Sequence, residues 1–229
     1  DRQLWYTINM PEKAEDLKAS TYLKFGYGHL IEELLLFLAE LSGHRVEGRQ
    51  DEHEIAGVKG HRDGVIDGVL TDAKSASPYS FQKFEKHLLH LPGNDGFGYI
   101  PQLQSYLSSS DKDPLVTDKG RAAFLAMDKV HGDLALDIHD RDDKDWEAEY
   151  NRKKEMVLGP IPERCYEPVP YGQSGNLALP TLCSYCAWKH SCHDNIRTFI
   201  YGGKPVFLTK VIREPNVFEV KGPVDADDS

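Results

Sequence analysis

The chain has 229 residues, 40% of them apolar and 10% aromatic, which is enough to bury a substantial core. Its formal net charge of −10 argues against a protein that coats nucleic acid by bulk electrostatic attraction, although it does not exclude an enzyme that acts on nucleic acid. No apolar run reaches the roughly 20 residues of a membrane-spanning helix, so we expect no membrane contact. Because residue 1 is Asp, we expect the numbering to begin inside a longer gene product.

The first two thirds of the chain combine helical and strand-like patterns. Residues 11–42 predict a helix in two pieces, broken near "FGYG". Residues 54–77 predict strands, and Asp67-Gly68 within them is a common two-residue hairpin turn. Two helices, a second hairpin that turns at His131-Gly132, and a charged helix follow at residues 80–91, 100–110, 122–138 and 145–158.

The composition changes after Gly159. Prolines become frequent, and all four cysteines lie from Cys165 onward, which predicts a C-terminal appendage of loops with little periodicity. The order helix, hairpin, helix, helix, hairpin, helix predicts an α/β fold, more narrowly an α+β mixed sheet flanked by helices. We therefore expect a core at residues 1–158 and a proline-rich region at residues 159–229 that packs on it.

Charged side chains occur where the pattern is otherwise apolar. Asp72 and Lys74 are two residues apart in a predicted strand, so their side chains share one face. Glu32 shares its helix face with Leu35 and Leu36. An ionised carboxylate in such a setting loses hydration unless it is paired or binds a cation. A salt bridge is the alternative interpretation for Glu32, and a surface ion pair is the alternative for Asp72 with Lys74.

Asp63 completes this group, with Asp67 as a rival that the hairpin turn already requires. An acid on a helix, an acid on one strand and D-x-K on the next are the parts of a two-metal phosphodiesterase site. Mg²⁺ and Mn²⁺ prefer carboxylate and water oxygens, and such an ion lowers the pKa of its water. Lys74 would orient or deprotonate the attacking water and offset the added negative charge.

These motifs resemble the RecB-like branch of the PD-(D/E)XK nuclease superfamily, which includes phage exonucleases and the AddB-type and CRISPR-associated RecB-like exonucleases. The matching stretches are "GHLIEE", "GHRD", the D/E-x-K motif and the Q-x-x-x-Y motif "QLQSY", which supply Glu32, Asp63, Asp72-Ala73-Lys74, Gln102 and Tyr106. Glu32 stands where the family more commonly has His. The resemblance covers roughly residues 20 to 158.

The resemblance implies a restriction-endonuclease-like core that binds one or two Mg²⁺ or Mn²⁺ ions. It places Gln102 and Tyr106 near the metal site and the DNA backbone. The implied function is a metal-dependent DNA exonuclease that acts on single-stranded or duplex ends in DNA processing, recombination or degradation. The implied location is a bacterial or phage-infected cytoplasm, and the implied partner is a recombination or replication protein. The alternatives are a structure-specific endonuclease of the same fold and a catalytically idle DNA-binding module.

The cysteines form a second group. Cys183, Cys186 and Cys192 follow the spacing C-x2-C-x5-C, and Cys165 lies eighteen residues before Cys183. No signal sequence accompanies them, so a metal site is favoured over disulfides. The triplet resembles the iron–sulfur staple of the AddB-type and CRISPR-associated nucleases, whose fourth cysteine precedes the core. The resemblance implies a [4Fe–4S] cluster; the alternative is Zn²⁺, with His190 or His193 able to replace one thiolate.

Overall fold

A computed structural model of the chain describes residues 1–17 and 19–220. The α-helices in these residues are α1 Arg2–Asn9, α2 Ala19–Leu41, α3 Pro78–Glu85, α4 Tyr99–Ser109, α5 Trp146–Leu158, α6 Thr181–Ser184 and α7 Lys189–Cys192. The strands are β1 Val46–Glu47, β2 Glu52–Ile55, β3 Val58–His61, β4 Gly64–Ile66, β5 Val69–Ala76, β6 Arg121–Asp128, β7 Leu134–Asp140, β8 Val169–Tyr171, β9 Asn176–Ala178, β10 Arg197–Tyr201, β11 Lys204–Lys210 and β12 Glu219–Val220. Within these residues, no helix combines the length and the apolar character needed to cross a membrane.

The chain divides into two compact units. One is Ser20–Arg152, and the other combines Asp1–Ala19 with the chain from Lys153 onward. The ranges expected from the sequence are 1–158 and 159–229, which assign Asp1–Ala19 to the N-terminal core. The structure instead groups Asp1–Ala19 with the C-terminal residues.

The unit Ser20–Arg152 is built on a five-stranded mixed sheet in the order β1-β4-β5-β6-β7. Strands β5 and β6 run parallel, and the other neighbouring pairs are antiparallel. The parallel pair requires a long crossover, and α3 and α4 supply it. The mixed α/β class with a mixed sheet, expected from the sequence, is confirmed.

The two faces of β5 bury different side chains. Leu70 and Ala76 belong to the larger core, together with Phe124 of β6 and residues of α3 and α4. Ala73 packs instead against Ile31 of α2. Because side chains alternate along a strand, Asp72 and Lys74 share the face of Leu70 and Ala76, beneath the crossover helices.

The β4–β5 hairpin turns at Asp67-Gly68, as the sequence predicts. Both residues have positive φ, 51° and 85°, which is the geometry of the tight hairpin turn that favours Asp-Gly. The second predicted hairpin is also present, between β6 and β7, with Gly132 at φ 80°.

Two expectations about helix α2 were wrong. Helix α2 is continuous through Gly26 and Gly28, because a helical glycine costs only about 1 kcal/mol and does not by itself end a helix. The helix also begins later than expected, since residues 11–13 form a separate 3-10 turn.

The C-terminal region is not a set of loops. It contains a second five-stranded sheet, in the order β12-β10-β11-β9-β8. The signal that the sequence analysis missed is Gly202-Gly203, which turns the chain between β10 and β11 with both residues at positive φ.

We expect Gly68→Ala to destabilise the unit more than Gly132→Ala does. Both glycines have positive φ, so each substitution costs about 1 kcal/mol of backbone strain. At Gly68 an added Cβ would also lie 2.0 Å from Thr117 Oγ1, whereas nothing lies within 4 Å of the one at Gly132. Urea unfolding should show an additional loss of about 1 to 3 kcal/mol for Gly68→Ala. Equal losses would contradict this packing.

Candidate active site

The hairpin brings three charged side chains together. The register pairs Gly64 with Thr71, so the same register continued by one residue sets Asp63 opposite Asp72. Asp72 is buried, and Lys74, half-buried on the same face of β5, forms an ion pair with its Oδ2. The hydrophobic residues around them leave these groups little water.

Asp63 is fixed by the backbone of β5. Asp63 lies just before the first residue of β4, and its Oδ2 accepts a hydrogen bond of 2.7 Å from the Ala73 N–H. The carboxylate therefore takes the place that a strand carbonyl would occupy if β4 continued. This bond sets the Asp63 carboxylate beside Asp72.

Glu32 of α2 completes the acidic group. Its side chain is 13% exposed, its Oε1 accepts a hydrogen bond from Gln50 Nε2, and its Oε2 lies 3.6 Å from His29 Nδ1. It lies close enough to Asp63 to raise the pKa of that carboxyl. The structure therefore places Glu32, Asp63, Asp72 and Lys74, all selected by the motifs, near one another. Within the described residues, the ligand oxygens of the three acids do not all lie within 4.8 Å of one another.

Burial and mutual repulsion dominate the electrostatics of this group. Burial raises the pKa of Asp63 to about 6, with Lys74 opposing the increase and Glu32 reinforcing it. Burial likewise raises the pKa of Asp72 to about 6, again opposed by Lys74 and reinforced by Asp63. One lysine does not offset three acids, so the group favours binding a further cation.

Lys74 is held in its charged form. Burial alone would lower its pKa, but the attraction of Asp72 and Asp63 outweighs burial and raises it. Its Nζ also lies 5.4 Å from the ring centroid of Tyr99, over the ring face. Lys74 in this state is a cation that stabilises negative charge, and it has no lone pair with which to act as a base.

Gln102 and Tyr106 lie further along α4. Gln102 Nε2 is 3.4 Å from the Tyr106 hydroxyl, and the Tyr106 ring stacks on His53 of β2. The same hydroxyl reaches Gly60 of β3, where an added Cβ would be 2.7 Å from it. Tyr106 also packs against the larger core. Among the described contacts, none joins Gln102 or Tyr106 to the acidic group.

Tyr99 and Gln50 are site residues that the sequence analysis missed. Tyr99, Gln102 and Tyr106 are spaced i, i+3 and i+7, so they form one line on α4 that begins at Lys74. This spacing is visible in the sequence. Gln50 gives no such signal, because it reaches Glu32 through a loop residue with φ 56°.

The rival residues lie elsewhere. Asp67 accepts a 2.9 Å hydrogen bond from the Arg45 N–H and contacts His44 Nδ1 at 2.7 Å, so it holds the turn. Glu33 is exposed and pairs with Arg49 at 3.3 Å. Neither of these acids contacts Asp72 among the described residues.

The four cysteines approach one another in the other unit. Burial raises the pKa of Cys183 to about 11, and the neighbouring thiols of Cys186, Cys192 and Cys165 add to this increase. All four are free of disulfides. Backbone N–H groups at the start of α1 donate to Cys165. Within the described residues no three of the sulfurs lie within 4.8 Å of one another, whereas a tetrahedral zinc site holds its sulfurs about 3.8 Å apart.

His193 is close to this cysteine group and His190 is paired elsewhere. His193 is buried, and its Nε2 has no hydrogen-bond partner among the described residues. His190 Nε2 lies 3.3 Å from Glu15.

A third group, which the sequence analysis did not identify, lies in the β6–β7 turn. Ligand atoms of Asp128, His131 and Asp133 lie within 4.8 Å of one another and could hold a metal ion. Asp128 already accepts hydrogen bonds from Val130 N–H and contacts His131 Nδ1, so its carboxylate organises the turn.

The chain has no match among known families by sequence. No protein-family model matches it, and no curated protein matches it either.

The raised pKa values predict how the stability of the metal-free chain depends on pH. Between about pH 4 and 6 the folded chain binds protons at Asp63 and Asp72 that the unfolded chain has released, so the free energy of unfolding falls as pH rises through this window. We expect this contribution to amount to about 1 to 3 kcal/mol, measured by urea unfolding in EDTA. Asp63→Asn should make the free energy of unfolding depend less on pH in this window.

Asp67→Asn is the matched control, because the hydrogen bond with His44 lowers the pKa of Asp67 and places its titration below this window. It should keep the parent pH dependence between pH 4.5 and 7.5. An Asp63→Asn variant that also kept the parent dependence would contradict the assignment.

Proposed function

We propose that this protein is a metal-dependent deoxyribonuclease of the RecB-like PD-(D/E)XK type, with Glu32, Asp63 and Asp72 as the metal ligands. The observation that carries the proposal is the meeting of three acids and Lys74, at one end of a hairpin on a mixed sheet. The order of these residues in the chain supports the family resemblance, with Glu32 on α2, Asp63 just before β4, and Asp72 and Lys74 on β5.

The donor set fits Mg²⁺ or Mn²⁺. Three carboxylates offer hard oxygen ligands, and the raised pKa values of two of them indicate that ionising both is unfavourable without a further cation. One or two bound ions would lower the pKa of a coordinated water and neutralise charge on the scissile phosphate.

The protein's own residues supply the rest. Asp63 and Asp72 are held by β5, which fixes where a ligand to both of them must sit. Lys74 provides a half-buried positive charge beside them, and it would stabilise the negative charge that grows on the phosphate as water attacks phosphorus and the P–O bond to the leaving nucleotide breaks. The raised pKa of Lys74 favours this role over deprotonation of the water.

The line of Tyr99, Gln102 and Tyr106 suits a nucleic-acid strand. It extends about 10 Å along α4, starting at Lys74. Aromatic rings stack on bases, and an amide donates to phosphate oxygens. We therefore assign Gln102 and Tyr106 to substrate binding along α4, beyond Tyr99 as seen from the acidic group.

We also propose that Cys165, Cys183, Cys186 and Cys192 hold a [4Fe–4S] cluster. The C-x2-C-x5-C spacing of the last three supports this assignment, and hydrogen bonds from the start of α1 to Cys165 suit a cluster thiolate. The cluster would stabilise the unit that contains it. Zn²⁺ is the alternative, with His193 as a replacement ligand, since its Nε2 is buried without a partner.

Asp72→Asn and Lys74→Met should each lower DNA cleavage by at least about 100-fold, because one removes a metal ligand and the other a positioned charge. Glu33→Gln, next to Glu32 but exposed, should cleave at the parent rate. The assay uses end-labelled linear DNA and closed circular DNA, single- and double-stranded, with Mn²⁺ or EDTA. Calorimetric Mn²⁺ titration should show weaker binding for Glu32→Gln but not for Glu33→Gln.

The results of this cleavage assay distinguish the proposed exonuclease from its alternatives. Cleavage of linear DNA alone supports an exonuclease, and cleavage of circular DNA supports the endonuclease alternative. DNA binding by the parent chain without any cleavage would support the alternative of a catalytically idle DNA-binding module. Parent-rate cleavage by folded Asp72→Asn would show that the site is wrongly assigned.

Cys186→Ser should release the metal and loosen the C-terminal unit, because a bound metal contributes folding free energy. We expect a lower melting temperature and protease cleavage after Gly159, while Mn²⁺ binding at Asp72 is unchanged. Ser184→Ala, between Cys183 and Cys186, is the control that should keep the metal. Elemental analysis of anaerobically purified protein should find about four irons per chain, or about one zinc for the alternative. Four alkylatable thiols and neither metal would refute the site.

A further inference from the structure

Helix α2 exposes a continuous apolar stripe. Its members, here called the α2 stripe, are Leu23, Tyr27, Leu30, Leu34, Phe37 and Leu41, with exposures of 76%, 48%, 70%, 43%, 53% and 72%. Single exposed apolar residues are common on protein surfaces, but six in a row on one helix mark an interaction surface.

The spacing of the α2 stripe is that of a coiled coil. Successive members are four and three residues apart in alternation, which is the a/d pattern of a heptad repeat. At 3.6 residues per turn all six fall within an arc of about 80°. The helix packs on its own sheet through other residues, Ile31 and Leu35 among them. The residues of the α2 stripe are thus not part of the described core of the unit.

We propose that the α2 stripe is the interface through which two copies of this chain pair, α2 against α2. An a/d stripe packs its side chains into holes on another helix that carries the same repeat. A second copy of the chain presents that repeat, and a two-fold axis makes the contact self-complementary.

The exposed area is sufficient for a stable dimer. With about 200 Å² for a fully exposed large apolar side chain, the six fractions expose roughly 700 Å² per copy. Two copies would bury roughly 1,400 Å², which lies within the usual range of about 1,200 to 2,000 Å² for specific protein interfaces. The surface is almost wholly apolar, as in lasting homodimers.

This inference does not depend on the proposed function. Glu32 lies about 180° around α2 from Leu23 and from Leu41, so substitutions in the stripe leave the acidic group unchanged.

The test is sedimentation velocity of the full chain in reductant, from about 1 to 100 μM. We expect a dimer of twice the 25.9 kDa chain mass. The double variant Leu30→Gln with Leu34→Gln should be monomeric with unchanged circular dichroism, because Gln is a good helix former and neither leucine is buried in the single chain. The matched control, Leu136→Gln with Leu158→Gln, changes two exposed leucines elsewhere and should stay dimeric.

A photo-crosslinking amino acid locates the contact. At position 27 it should capture a second copy, and at Tyr79, which is 78% exposed on α3, it should not. A parent chain that is monomeric at 100 μM, or a dimer that survives Leu30→Gln with Leu34→Gln, would overturn the proposal.

Discussion

The hydrogen bond from the Ala73 N–H to Asp63 determines the rest of the acidic group. It forms because β4 begins only at Gly64, which leaves β5 with a backbone donor that a side-chain carboxylate can take. The Asp67-Gly68 turn sets the register that makes this possible. A slip of one residue would turn Asp72 and Lys74 toward α2 and would place Ala73 beneath α4.

The same geometry creates an electrostatic imbalance. Asp72 is buried, Asp63 stands opposite it, and Glu32 approaches from α2, while the described contacts place Lys74 and the exposed His29 beside them. An apolar setting penalises such an arrangement. A chain that needed only stability would gain from apolar residues there, so the imbalance marks this group as the candidate functional site.

The sequence was informative wherever short-range geometry decides structure. Strand alternation set Asp72 and Lys74 on one face, and turn chemistry distinguished the position of Asp67 from that of Asp63, where the structure also has them. It failed where tertiary contacts decide. Glycines 26 and 28 were expected to break α2, although helix propensity is a weak constraint in a long helix. Gln50 reaches Glu32 across a loop, and no periodicity could reveal that contact. The second sheet was missed because frequent prolines obscured short strands such as β8 and β9.

Helix α2 combines two roles on opposite faces, and this arrangement limits how two copies could act together. Glu32 faces the sheet, and the α2 stripe lies about half a turn around the helix from it. If copies pair through the stripe, two helix diameters, about 20 Å, separate one Glu32 from the other. The two acidic groups would then face away from each other, too far apart to share a metal ion or a single phosphate. Each copy would therefore carry its own Glu32, Asp63 and Asp72, and pairing through the stripe would leave this group as it is in the single chain.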